Sequence, residues 1–192
     1  MSITELTAQA WSDALELYRY SYTFACVARR EHEEWWLDAA AIMRRQTADP
    51  RGWLSVDPDE DEFERRDDPL FPFLEAPSTP ADVERFRRRV TAVPPCSVAS
   101  LLVLLGIPGL DAARAPGFAQ QRPEMERRAH VVLSRFPEAT RFYSNAGWKG
   151  EHPDFCEQPV RATTPFSRYG WDAGLIAVNE AEIAMLWHFD PT

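Results

Sequence analysis

The stretch EHPDFCE at residues 151–157 holds the densest set of side chains able to do chemistry: His152, Asp154 and Cys156, each two residues from the next. On an extended backbone this spacing projects all three from one side. Imidazole, carboxylate and thiolate are ligands for a zinc-like ion, and a histidine beside a cysteine also makes an activated nucleophile. Lys149 and Tyr143 stand close by in sequence, available for substrate charge and proton transfer. A closed metal site needs further converging ligands; without them the stretch is a polar, proline-containing loop. Just upstream, Asn145 to Gly150 carries two glycines that would let backbone amides approach an anion beside Lys149, or would form a turn between strands.

A second group lies near the N-terminus. Glu31, His32, Glu34 and Asp38 offer proton-transfer groups beside Trp35 and Trp36, at the mouth of an aromatic pocket or on an exposed acidic helix face. Asp57, Asp59, Asp61 and Asp68 approach the ligand spacing of an EF-hand calcium loop. The pattern breaks at Glu62, where the turn needs glycine, and at Pro58 and Pro69. Phosphate-loop, dinucleotide, nucleophile-elbow, H-E-x-x-H and C-x-x-C signatures are absent. The Glu-x-x-His pattern of di-iron bundles fails too, since Arg29, Arg127, Lys149 and Met185 precede the four histidines at that offset. His130 and His188 fall in regular elements with apolar neighbours and read as structural. Trp11, Trp36 and Trp187 fit core stripes, whereas Trp53 and Trp148 sit in loops, free to anchor a partner.

Charge narrows the partners. A formal net charge of -9 repels a phosphate backbone, so nucleic acid is disfavoured and a cationic partner is the natural complement. Asp57 to Asp68 contains eight acids and two arginines, a net of -6. Asp57, Asp59, Glu60, Asp61 and Glu62 there make either a binding surface for a basic protein or a solvated loop. Cys26, Cys96 and Cys156 are odd in number and far apart, which fits a reducing compartment. The start MSITELTAQAW lacks a secretory pattern. The apolar run Val98 to Leu105 is far shorter than the roughly 20 residues of a membrane helix. The expectation is a cytoplasmic protein without membrane contact.

The elements that must position these groups read as an α+β fold, with N-terminal helices packed on a small C-terminal antiparallel sheet that ends in a β-hairpin. The chain is expected to be a single globular domain, 1–192, with a long proline-rich acidic loop at about 47–80. A first helix carries Trp11, Leu15, Tyr18 and Tyr22. Residues 18–28 fit either helix or strand, and the helix is preferred. A helix is expected over Arg30 to Gln46, and another from Pro80, capped by Thr79 with Asp82 in its first turn and Phe86 inside. Val98 to Leu105 reads as a buried helix, and Pro123 as the start of the next. Strand candidates are Arg141–Ser144, Val160–Thr164, Gly174–Val178 and Glu182–Phe189, the last two flanking Asn179 and Glu180 as a hairpin.

Two functions fit these observations. The first is an acidic protein-binding module, of the inhibitor or immunity type, that masks a basic partner through Trp53, Trp148 and the acidic stretch. The second is a small enzyme acting on a small molecule in an aromatic-lined pocket, metal-assisted or not, through His152, Asp154 and Cys156 with Lys149 and Tyr143. The sequence points to no particular cofactor, and it favours the module, because an acidic surface requires no convergence of distant residues.

Overall fold

A computed structural model describes residues 7–19, 23–47, 68, 70–161 and 163–190. The fold is α+β. Its centre is a five-stranded antiparallel sheet of β1 (Thr23–Arg29), β2 (Thr91–Ala92), β3 (Arg141–Ser144), β4 (Trp171–Val178) and β5 (Glu182–Asp190), in the order β1-β5-β4-β3-β2. Among the described residues five helices cover its two faces: α1 (Ala8–Leu15), α2 (Trp35–Met43), α3 (Pro80–Arg89), α4 (Val98–Leu105) and α5 (Phe118–Leu133).

The alternation of side chains along the strands explains the two cores. One face of the sheet presents Ala25, Val27, Ala173, Leu175, Ala177, Ala184 and Leu186 to α1, α4 and α5. The small residues let α4, apolar nearly all round, lie close against the sheet. The opposite face presents Phe24, Cys26, Ile176, Met185, Trp187 and Phe189 to α2, α3 and the segment around Phe73 and Phe166. Because both faces are covered, β4 and β5 are apolar at almost every position. The hairpin joining them is held by Asn179, whose Oδ1 accepts from the backbone N–H of Ala181 and Glu182, both at 2.8 Å.

Three expectations change. Residues 23–29 form the edge strand β1 beside β5, and the helical pattern stops at a 3-10 turn, Glu16–Tyr18, whose Tyr18 hydroxyl donates to the Leu102 carbonyl. Among its described residues Val160–Thr164 forms no strand and makes one isolated bridge, Ala146 to Thr163. Pro159 and Pro165, which lack N–H donors, bound it. The helix expected from Pro123 begins at Phe118, after Gly117 in the left-handed conformation, and Pro123 lies inside it on an exposed face. Of the loop at 47–80, positions 48–67 and 69 lie outside the described residues. Thr79 caps α3 as expected, in a reciprocal capping box with Asp82. Among the described residues no helix is long and apolar enough to cross a membrane.

His188 on β5 is buried, with Nδ1 3.0 Å from the Leu105 carbonyl, so the neutral ring donates there. Burial drops its pKa from the usual 6.5 to about 4, against the smaller opposing pull of that hydrogen bond and of Asp190. The unfolded chain therefore binds this proton more readily than the folded one. The contribution of this group is expected to be full above pH ~6.5 and to be lost as pH drops towards 4, by about 3 kcal/mol. Denaturant unfolding at a series of pH values should show this slope, and His188→Gln should remove it while leaving the slope from carboxylates.

Candidate functional site

Two clefts carry the chemistry-bearing side chains, one on each side of the sheet. The first, of about 400 Å³, lies between the start of α4, the middle of α5 and the loop after β3. Local packing fixes that loop. Trp148 meets Phe155 edge-on at 5.7 Å, and the Phe155 N–H donates to Ser100 Oγ of α4. The Asp154 carbonyl accepts from Glu157 and Gln158 N–H, closing a turn, while its Oδ1 accepts from Cys156 N–H at 2.8 Å.

This turn separates the trio expected at 152–156. Cys156 points inward, is buried, and donates its thiol to the Ser100 carbonyl. Burial first, and then the carboxylates of Asp154, Glu126 and Glu157, push that thiol up to about 12, opposed by Arg122, so it stays protonated. Asp154 instead pairs with Arg122 of α5 at 3.0 Å. The same guanidinium meets Glu126 at 2.7 Å and Glu157, and these partners hold it charged. His152, exposed on the loop, lies 3.5 Å from Sγ of exposed Cys96. Cys96 sits in a 3-10 turn, Pro95–Ser97, that runs directly into α4. The thiol and imidazole that meet are thus those of Cys96 and His152. Among the described residues no three or more His, Cys, Asp or Glu side chains gather as a metal site. Lys149 is exposed at the loop's outer end, its N–H bonded to Gln158 Oε1.

Tyr143 lies on the other side of the sheet, stacked on Trp35 with ring centroids 4.8 Å apart. It helps line the second cleft, a groove of about 460 Å³ between the start of α2, the end of α3 and β3. Trp36 forms its open wall: Trp35 is 4.0 Å away between centroids, and Arg87 of α3 lies over the indole at 4.8 Å. A buried carboxylate shapes the lip. Asp38, 2% exposed, accepts from the N–H groups of Glu31 and His32, from His32 Nδ1 at 2.8 Å and from Arg30 Nε at 3.2 Å. It thereby folds residues 30–34 into a turn, where the sequence suggested helix, and α2 starts at Trp35. Glu31, Glu33 and Glu34 are left exposed, and Glu33 and Glu34 line the groove. Glu34 accepts from Trp36 Nε1, while the carboxylates of Glu31 and Glu33 have no ion-pair partner among the described residues.

The sequence had placed Trp35 and Trp36 beside acidic groups, but not Tyr143 with them, because β3 joins α2 only through the tertiary fold. Cys96, Arg122 and Glu126 carry no local signal beyond the proline pair that starts the Cys96 turn. Trp53, Asp57, Asp59, Glu60, Asp61 and Glu62 lie outside the described residues. Trp148 is half-buried against Phe155. Comparison with known proteins finds no matching family model, no matching curated protein and no matching solved structure.

Proposed function

We propose that this protein is an acidic binding module that masks a basic protein, in the manner of an inhibitor or immunity protein, with the Trp36 groove as its anchor pocket. The observation that carries this reading is the pairing in one groove of an aromatic wall, Tyr143 stacked on Trp35 with Trp36 tilted against it, with a carboxylate, Glu33, that has no ion-pair partner among the described residues. Aromatic and arginine side chains around a desolvated pocket dominate binding energy at protein interfaces, and Trp36, Tyr143, Arg87 and Arg141 are of this kind. Arg30 and Arg87 are already paired with Asp38 and Glu84, so Glu33 at the groove with Glu31 beside it in sequence, together with the overall charge of -9, suit a lysine- or arginine-rich partner and speed its approach. The acidic stretch at Asp57 to Asp68 extends the same complementarity.

The test begins with native mass spectrometry of the protein isolated gently at low salt from its own source, to find a basic partner, followed by binding kinetics with variants. Trp36→Ala is expected to weaken the complex by about 2 kcal/mol, roughly 30-fold in Kd, mostly through faster dissociation. Reversing Glu31 and Glu33 to lysine should slow association and flatten its salt dependence. Reversal of Asp59, Glu60, Asp61 and Glu62 should act likewise. Association unchanged by all three would end the proposal.

A further inference from the structure

We infer that Cys96 and His152 form a thiol and base pair for thiol-disulfide exchange, and that their cleft receives a small disulfide bearing an amine. This pair stands on the opposite side of the sheet from the Trp36 groove and does not depend on that groove's function.

The geometry brings together two side chains that are 56 residues apart in sequence, from two segments docked on each other through Ser100. Cys96 is fixed by the turn that opens α4. His152 is fixed by the loop whose Phe155 and Cys156 dock on Ser100. Both are exposed to solvent at a cleft of about 400 Å³, within the roughly 300–1,000 Å³ of small-molecule sites. With Nδ1 3.5 Å from the sulfur, the neutral imidazole takes the thiol proton. The thiolate attacks one sulfur of the incoming disulfide, a new S–S bond forms at Cys96, and the old one breaks. The departing thiolate takes the proton from the imidazolium and leaves as a thiol. The disulfide is the oxidant and is reduced to one thiol and the mixed disulfide, so no other redox partner enters.

The surroundings choose the charge of the ligand. Arg122 is tied to Glu126 and Asp154 on the cleft wall and to Glu157 just behind it, three carboxylates to one guanidinium, so the cluster beside the cleft carries a surplus of two negative charges. An ammonium group is drawn to that wall and a carboxylate is repelled, most strongly at low salt. The remaining cysteines do not compete. Cys26 is fully buried in β1, and Cys156 is buried with its thiol held protonated.

The experiment uses the reduced protein, residues 1–192, at low ionic strength with three probes: cystamine, which is dicationic, hydroxyethyl disulfide, which is neutral, and oxidised glutathione, which is anionic. Adduct formation is followed by intact mass and located by peptide mapping, and each rate is normalised to that of the same probe with a free small thiol. One adduct is expected, on Cys96, with normalised rates in the order cationic, neutral, anionic and a span of about tenfold. Exposed His152→Gln should slow all three probes about tenfold by removing the base, with an unchanged melting curve as its folding control. Glu126→Gln with Glu157→Gln should narrow the span. Equal normalised rates for the three probes, an unaltered rate in His152→Gln, or first modification at Cys26 or Cys156 would overturn the assignment.

Discussion

Asp172→Ala is expected to lower the unfolding free energy by about 4 kcal/mol, a loss of roughly 10 °C in Tm for a chain of this size. Asp172 is wholly buried at the start of β4 and is the shared acceptor of one network. Its carboxylate takes hydrogen bonds from the N–H groups of Phe166 and Ser167, from Ser167 Oγ at 2.5 Å, from Asn145 Nδ2 at 2.8 Å and from Trp187 Nε1 at 3.1 Å. Burial pushes its carboxyl group up, and the donors from Ser167, Trp187 and Asn145 pull it back. Truncation would strand these donors in the core, each costing about 1–3 kcal/mol if left unpaired, less what relaxation recovers. Asn145 also accepts from Gly174 N–H and begins the loop that carries His152, so the same network positions the thiol cleft. Asp172→Asn, which keeps one acceptor oxygen, should cost clearly less. Equilibrium urea unfolding of the three proteins decides it; a loss below about 1 kcal/mol in Asp172→Ala would mean that the donors find other partners.

What the sequence shows of this fold, and what it hides, follows from the range of the interactions involved. The β4–β5 hairpin was legible because Ile183, Met185, Trp187 and Phe189 alternate with Ala184, Leu186 and His188 across a turn that Asn179 closes by itself. β1 was not. Residues 18–28 alternate at the period of a strand as well as fitting a helix, Thr23 to Ala28 is buried on both faces, and its pairing with β5 selects strand over helix. The carboxylates failed for a related reason. Asp38 and Asp172 look like surface acids, and their donors become visible only when the chain folds around them. For the chemistry, the sequence located His152 but joined it to Cys156 by local spacing. The turn at Asp154 sends Cys156 inward, and the start of α4 supplies Cys96 in its place. Tyr143, expected near Lys149, sits instead across the sheet with Trp35, because β3 turns that side chain to the other face.

Gly174→Ala, the smallest possible enlargement, should destabilise the protein by about 3 kcal/mol or more. Gly174 on β4 lies directly opposite Trp187 on β5, and a methyl group built there would fall 2.0 Å from Cε3 and 2.1 Å from Cδ2 of the indole. The ring cannot swing aside cheaply. Phe166 and Phe73 meet it edge-on at 5.5 and 6.1 Å, and its Nε1 is committed to Asp172. Relief must come from separating the two central strands or from giving up that hydrogen bond, and either disturbs both cores at once. Trp187→Leu alone should be costly for a different reason, the cavity it leaves. In the double variant the smaller side chain makes room for the methyl group, so the combined loss should fall short of the sum by at least about 1 kcal/mol. Urea unfolding of the four proteins in the cycle measures this coupling. A Gly174→Ala protein as stable as its parent would mean that the indole does not lie over position 174, and the packing of the whole α2 and α3 face would have to be redrawn around it.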